Sequence, residues 1–344
     1  MGTLIALELR TRARGIGWIV LQILWVLAIG GLTAGVYFTA TNSGEPVGKW
    51  LYSIILYFTL FLATIVTPAI GGGSINGDRA SGLLTQVQTT AASASTIVWA
   101  KAFAAWIASL GFVLTAAPFL AFAAWAGGVD WPVVLVSVVV LIAELAFFAA
   151  LSVAFSGLFS RSVFSVALSY LVIALLSVGT VLGFGIGSSL LTSTRDVQVS
   201  TYDESASELG QANCTTVTEQ RTYQRADLLW PVLAANPFVI VADATPARFT
   251  TAAGGATPGY PDNLLTGVKV ALRTAQASPI PTETVNECTW NNDTLTPREQ
   301  LAGTQPVWFY GLAAQFVFAL VLLGWATART RLPYRSLKKG TRIV

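Results

Sequence analysis

Glu144 is the one acidic residue near the middle of an apolar run long enough to cross a bilayer. An ionisable group at that depth is costly and is a functional hypothesis by default. It has three possible duties: binding a cationic substrate, relaying protons, or steadying the bundle through hydrogen bonds to neighbouring helices. Gln22 and Gln315 are further polar residues inside apolar runs, suited to packing contacts or to lining a path at a dimer interface. The only two thiols, Cys214 and Cys288, allow a single intrachain pairing. In an oxidising compartment they form a disulfide that staples an outer domain. With no histidine in the chain, Ser-His triads and His-metal sites are excluded, and two cysteines alone make no zinc site. No Gly-x-x-x-x-Gly-Lys-Ser/Thr phosphate loop is present. The glycine-rich stretch Gly183-Phe184-Gly185-Ile186-Gly187 lies within an apolar run, where packing or a hinge explains it better. The chain is therefore expected to carry no catalytic site, cofactor or metal of its own.

These residues are embedded in a composition unlike that of a soluble domain. The chain of 344 residues is 54% hydrophobic and 11% charged, with mean hydropathy +0.64; soluble domains carry about 25% charged residues. Six apolar runs reach the roughly 20 residues that a spanning helix needs: about 17–37, 50–71, 102–125, 133–156, 163–190 and 307–328. Backbone polar groups must be satisfied internally in lipid, so these runs are predicted to be helices, and their Gly, Ala, Ser and Thr content suits close packing. The first run is too long for a signal peptide and lacks a cleavage-site pattern.

Charge placement orients the bundle. Arg10, Arg12, Arg14, Arg79, Lys101, Arg161, Arg329, Arg331, Arg335, Lys338, Lys339 and Arg342 all fall on one side of six alternating spans, opposed there only by Glu8 and Asp78. The positive-inside rule puts that side, with both termini, in the cytosol. Anionic inner-leaflet lipid, rather than nucleic acid, is the expected partner of this basic surface.

Residues 191–306 break the pattern. They carry seven basic and twelve acidic residues, include both cysteines, and are expected outside the membrane. Within them, Leu228–Ala242 is apolar but short and interrupted by Pro231 and Pro237, which fits either a re-entrant element over the bundle or a buried core segment of the outer domain. The chain thus divides into spans 1–5 with a loop at 77–101 (residues 1–190), an extracytoplasmic domain (191–306), and a sixth span with a basic tail (307–344).

The loop GDRASGLLTQVQTTAASASTIVWAK, from Gly77 to Lys101, is longer and more patterned than a connecting turn requires. Leu83, Leu84 and Val87 can share a helix face, and Asp78 would suit the positive end of that helix. Such a segment either touches a partner or lies on the lipid surface.

This loop resembles the signature region of type 2 ABC exporter permeases. Asp78-Arg79-Ala80 stands at that family's Glu-Arg-Glu and Gly82-Leu83-Leu84 at its Gly-Thr-Leu. Thr90-Ala91-Ala92-Ser93 stands at Thr-Pro-Leu-Ser, Ile97 matches, and Ala100-Lys101 replaces Gly-Lys. The opening LELRTRARG is similar to the family's elbow helix, and Asn236-Pro237-Phe238 to a triplet often found between its last two spans. The resemblance implies an all-α membrane protein of six transmembrane helices with an N-terminal amphipathic elbow helix, a cytosolic coupling helix between spans 2 and 3, and a large extracytoplasmic insertion between spans 5 and 6. It implies a multi-pass protein of a bacterial plasma membrane. Its partners would be a cytosolic ABC ATPase subunit, which binds ATP and Mg, and a second permease, identical or related. Asp78, Arg79, Leu83, Leu84 and Val87 would contact the ATPase; an amphiphilic substrate (lipid, drug or peptide) would move outward. The alternative is a membrane sensor or scaffold whose outer domain binds a ligand or envelope protein. A lipid-modifying enzyme ranks below both, for want of clustered catalytic residues.

Overall fold

The computed structural model describes residues 1–43, 48–82, 93–202, 214–251, 258–280, 285–288 and 295–330. Six helices long and apolar enough to cross a membrane dominate it: Ile16–Asn42, Trp50–Ala80, Ala94–Gly127, Trp131–Leu158, Ser162–Leu190 and Trp308–Thr330. A helix, α1 (Gly2–Ala13), precedes them and packs against the third span. The first span is α2 (Ile16–Ser43). The second is α3 (Gly48–Gly71), continued after a two-residue break by α4 (Ser74–Ala80). The third and fourth are α5 (Ala94–Gly127) and α6 (Trp131–Leu158); Gly128 between them takes the left-handed conformation at φ 57°, which closes α5 before Asp130 starts the next helix. The fifth is α7 (Ser162–Ala174), a π-helical turn at Leu175–Gly179, and α8 (Thr180–Leu190).

The fourth span is the axis of the bundle. Helix α6 is buried along most of its length and packs on α3, α5, α7 and the sixth span, α13 (Trp308–Thr330). Leu141, Leu145, Phe147, Phe148 and Leu151 are fully enclosed. Where α6 meets α13, a Cβ at Gly157 would lie 2.8 Å from the Ala326 Cβ, so the small residue permits this approach.

Residues 191–306 are not all-α. The helical expectation holds for the spans, but the outer segment adds a sheet in the order β2-β1-β3. Strand β1 (Thr192–Tyr202) leaves α8 directly and pairs antiparallel with β2 (Cys214–Gln224), from Thr192↔Gln224 to Tyr202↔Cys214. Strand β3 (Val285–Asn286) adds a short parallel edge to β1. The many Thr and Val residues of both strands favour extended backbone. Cys214 and Cys288 form a disulfide that joins the far end of the hairpin to the residues after β3.

Below the hairpin, short helices cover the bundle: α9 (Trp230–Ala234), α10 (Pro237–Ala244), α11 (Leu264–Thr274) and α12 (Pro297–Ala302). Ile240, Val241 and Ala242 of α10 join the same hydrophobic core as the spans. The apolar stretch at 228–242 therefore packs over the bundle as two short helices.

Candidate functional site

Asp78 and Arg79 sit in the last turn of α4, not at the start of a new helix. The expected stabilisation of Asp78 by a helix N-terminus is therefore corrected: an acid at this end is disfavoured by the dipole. A cation offsets it instead. Lys101 Nζ lies 2.7 Å from Asp78 Oδ2 and also pairs with the Glu8 carboxylate of α1. Arg12 approaches Glu8 at 3.4 Å, one helical turn on. Two cations and two anions thus balance, with Lys101 itself buried. Lys101 lies within its helix rather than at its start. Ser93 caps α5 by accepting a hydrogen bond from the Thr96 N–H (3.2 Å), so the helix begins at Ala94 and Lys101 lies two turns inside it.

Arg79 points into the bundle. Its guanidinium donates to Asn76 Oδ1 (3.2 Å), Phe159 O (3.2 Å) and Gly157 O (3.4 Å), the last two at the end of α6. Asn76 is buried and donates through Nδ2 to Ser165 Oγ (3.1 Å), while Ser156 Oγ accepts from the Ile75 and Asn76 N–H groups. This polar knot binds α4 to α6 and α7 at the loop's first end. Leu83, Leu84 and Val87 lie outside the described residues, as do Thr90, Ala91 and Ala92.

Glu144 is completely buried on α6, and Gln315 of α13 is the polar side chain that faces it. Neither carboxyl oxygen has a hydrogen-bond partner among the described residues, and neither does Gln315 Oε1. The Gln315 amide nitrogen is committed to Ala235 O at 3.1 Å. Gln22 belongs elsewhere: its Oε1 accepts from Thr115 Oγ1 (3.1 Å), tying α2 to α5.

The triplet Asn236-Pro237-Phe238 is used residue by residue. Asn236 Oδ1 caps α10 by accepting from the Phe238 and Val239 N–H groups, while its Nδ2 donates to Ser177 O (2.6 Å) and Thr180 Oγ1 (2.8 Å) at the π-turn of the fifth span. Pro237 occupies the first turn of α10, where its missing N–H costs nothing. The Phe238 ring packs edge-on against Tyr57 of the second span, whose hydroxyl donates to Phe238 O (3.1 Å).

A second polar node, invisible in the sequence, joins this cap to the sixth span. Asp243 Oδ2 accepts from the N–H groups of Val307 (2.7 Å) and Trp308 (2.9 Å) at the start of α13, and Oδ1 accepts from Arg273 Nε (2.6 Å). Nearby, Lys269 Nζ donates to Thr245 O at 2.6 Å. Burial, and secondly the Arg273 charge, push the Lys269 amine down to about 8, against an opposing pull from Asp243. The only sequence signal for this node is a set of charged residues at helix-like spacing, Lys269 and Arg273, in an otherwise amphipathic stretch. Glu8, Asn76, Ser156 and Asp243 were all missed because each acts through a partner far away in the chain.

No family model matches this chain, and no curated protein matches it.

Proposed function

We propose that the chain is the membrane-spanning permease subunit of an ATP-driven exporter, worked by a separate cytosolic ATPase through the loop between the second and third spans. The observation that carries this reading is the tether at the loop's two ends. Asp78, before the loop, pairs with Lys101, after it, and Lys101 also pairs with Glu8 of α1. A force on residues 83–92 would thus be delivered together to the second span, the third span and the elbow helix. Arg79 would pass it further, into the end of α6. The basic residues at this end of the bundle favour placing it in the cytosol, where ATP is available. On this reading Asp78 and Arg79 position the loop, and Leu83, Leu84 and Val87 make the contact. Glu144 and Gln315 are the polar groups of the substrate path, and a second permease copy completes it.

The sensor or scaffold reading rests on the outer hairpin, whose β2 strand is exposed along most of its length. One experiment separates the two. The tagged chain is purified gently from its native membrane and its companions identified by mass spectrometry, beside an Asp78→Lys, Leu84→Asp variant. The exporter reading expects a phosphate-loop ATPase with the native chain that is lost with the variant. Recovery of intact native chain without any ATPase would overturn it in favour of the scaffold.

A further inference from the structure

At the end of the bundle that carries α1, a cleft of about 430 Å³ opens among Arg79, Gly157, Leu158, Phe159, Ser160 and Arg329. Three helix ends meet there: α4, α6 and α13. Two guanidinium groups face this cleft closely enough for their charges to act on one another. Neither has a carboxylate partner among the described residues. Both cap α6, Arg79 as above and Arg329 through Nη1 to Leu158 O at 3.3 Å. These bonds use three of the five Arg79 N–H groups and one of the five on Arg329, which leaves part of each fork for a ligand.

The cleft does not stand alone. A second hollow of about 530 Å³ shares Phe159 and Ser160 with it and runs past Arg161, Val163, Phe164 and Ala167. Val163 and Phe164 are exposed there. A strongly basic pocket therefore opens into an apolar groove at the level where spans end. That is the shape of a molecule with an anionic head and a hydrocarbon tail. Paired arginine forks match phosphate oxygens in geometry as well as charge.

We propose that Arg79 and Arg329 bind the phosphate of an anionic phospholipid whose acyl chain lies along Phe159, Val163 and Phe164. The inference needs only that the six helices span a bilayer, and it stands whether or not the exporter reading does. Free phosphate shares the headgroup chemistry but has no use for the groove.

The test uses the full chain in detergent, with phosphatidylglycerol, phosphatidylcholine of the same acyl chains, and inorganic phosphate as probes. Bound lipid is counted by native mass spectrometry. Phosphatidylglycerol should be retained over phosphatidylcholine, with retention falling about fivefold for each of Arg79→Gln and Arg329→Gln. An Arg10→Gln, Arg14→Gln variant on the exposed face of α1 should change little. Equal retention of the two lipids would overturn the site, as would a loss caused by the α1 variant and not by the cleft variants. Displacement of phosphatidylglycerol by inorganic phosphate alone would reduce it to a free-anion site. Arg329 is exposed, so Arg329→Gln carries the test alone if removing Arg79 prevents folding.

Discussion

The two ends of the bundle each bury a charge, but in different surroundings. Near α1 the buried charge is the cation Lys101, and its two carboxylate partners remain in part-contact with water, at 23% and 27% side-chain exposure. At the opposite end the buried charge is the anion Asp243, wholly enclosed, with Arg273 almost as deep and two backbone N–H groups completing its shell. Water can replace a lost partner in the first case and not in the second. The first arrangement suits a joint that moves under load; the second suits a fixed lock between the outer cap and the sixth span.

The contrast sets the order of expected effects. Asp243→Ala removes the lock and leaves Arg273 and two N–H groups unpaired. It should cost about 3–5 kcal/mol and be seen as a large fall in melting temperature and early proteolysis near α13. A loss under about 1 kcal/mol would mean that water enters the node and that the two ends are alike. Replacing both Cys214 and Cys288 by Ser frees a loop spanning 74 residues, and should lower the stability of the outer segment by roughly 4 kcal/mol on chain-entropy grounds. Limited proteolysis with and without reductant measures it, and the α1 end should not respond.

Lys269 sharpens the comparison through pH. Its folded amine titrates at about 8, against 10.5 for the free group. Between those values the unfolded chain still holds the proton that the folded chain has released, so stability should rise as pH climbs from about 8 to 10.5. The full gain is about 3 kcal/mol. Lys269→Met should abolish the rise in pH-dependent melting. Asp78→Asn, at the watery end, should cost only about 1 kcal/mol in melting, yet on the exporter reading it should reduce coupling to the proposed ATPase well beyond that. If its effect on melting rivals that of Asp243→Ala, the joint is a lock after all. The smallest effect belongs to the outer hairpin. Arg221 bonds Glu219 and Glu287 at its surface, and Arg221→Gln should leave the melting curve unchanged.

Much of the membrane architecture was legible in the residues. Long apolar runs have one solution in lipid, a helix, so all six spans follow from composition and length. The disulfide followed from having two cysteines and no others. The fold of residues 191–306 was not legible, because Thr- and Val-rich polar strands such as β1 and β2 declare no partner until their register is set. Helix ends were not legible for a related reason. Hydropathy finds where a chain leaves the oil, not where its hydrogen bonds stop, so helical structure runs beyond the apolar runs at 50–71 and 102–125 to take in Asp78 and Lys101.

Sequence alone determined that six apolar helices form, that basic residues gather at one end, and that no histidine-based chemistry is available. Tertiary structure decided which charges meet. Glu8, Asp78 and Lys101 come from three elements, and Asp243 caps a helix 64 residues further on. Periodicity reports the face a residue occupies on its own helix. It does not report what the next helix brings to that face, and only packing supplies the partner that makes a buried charge affordable.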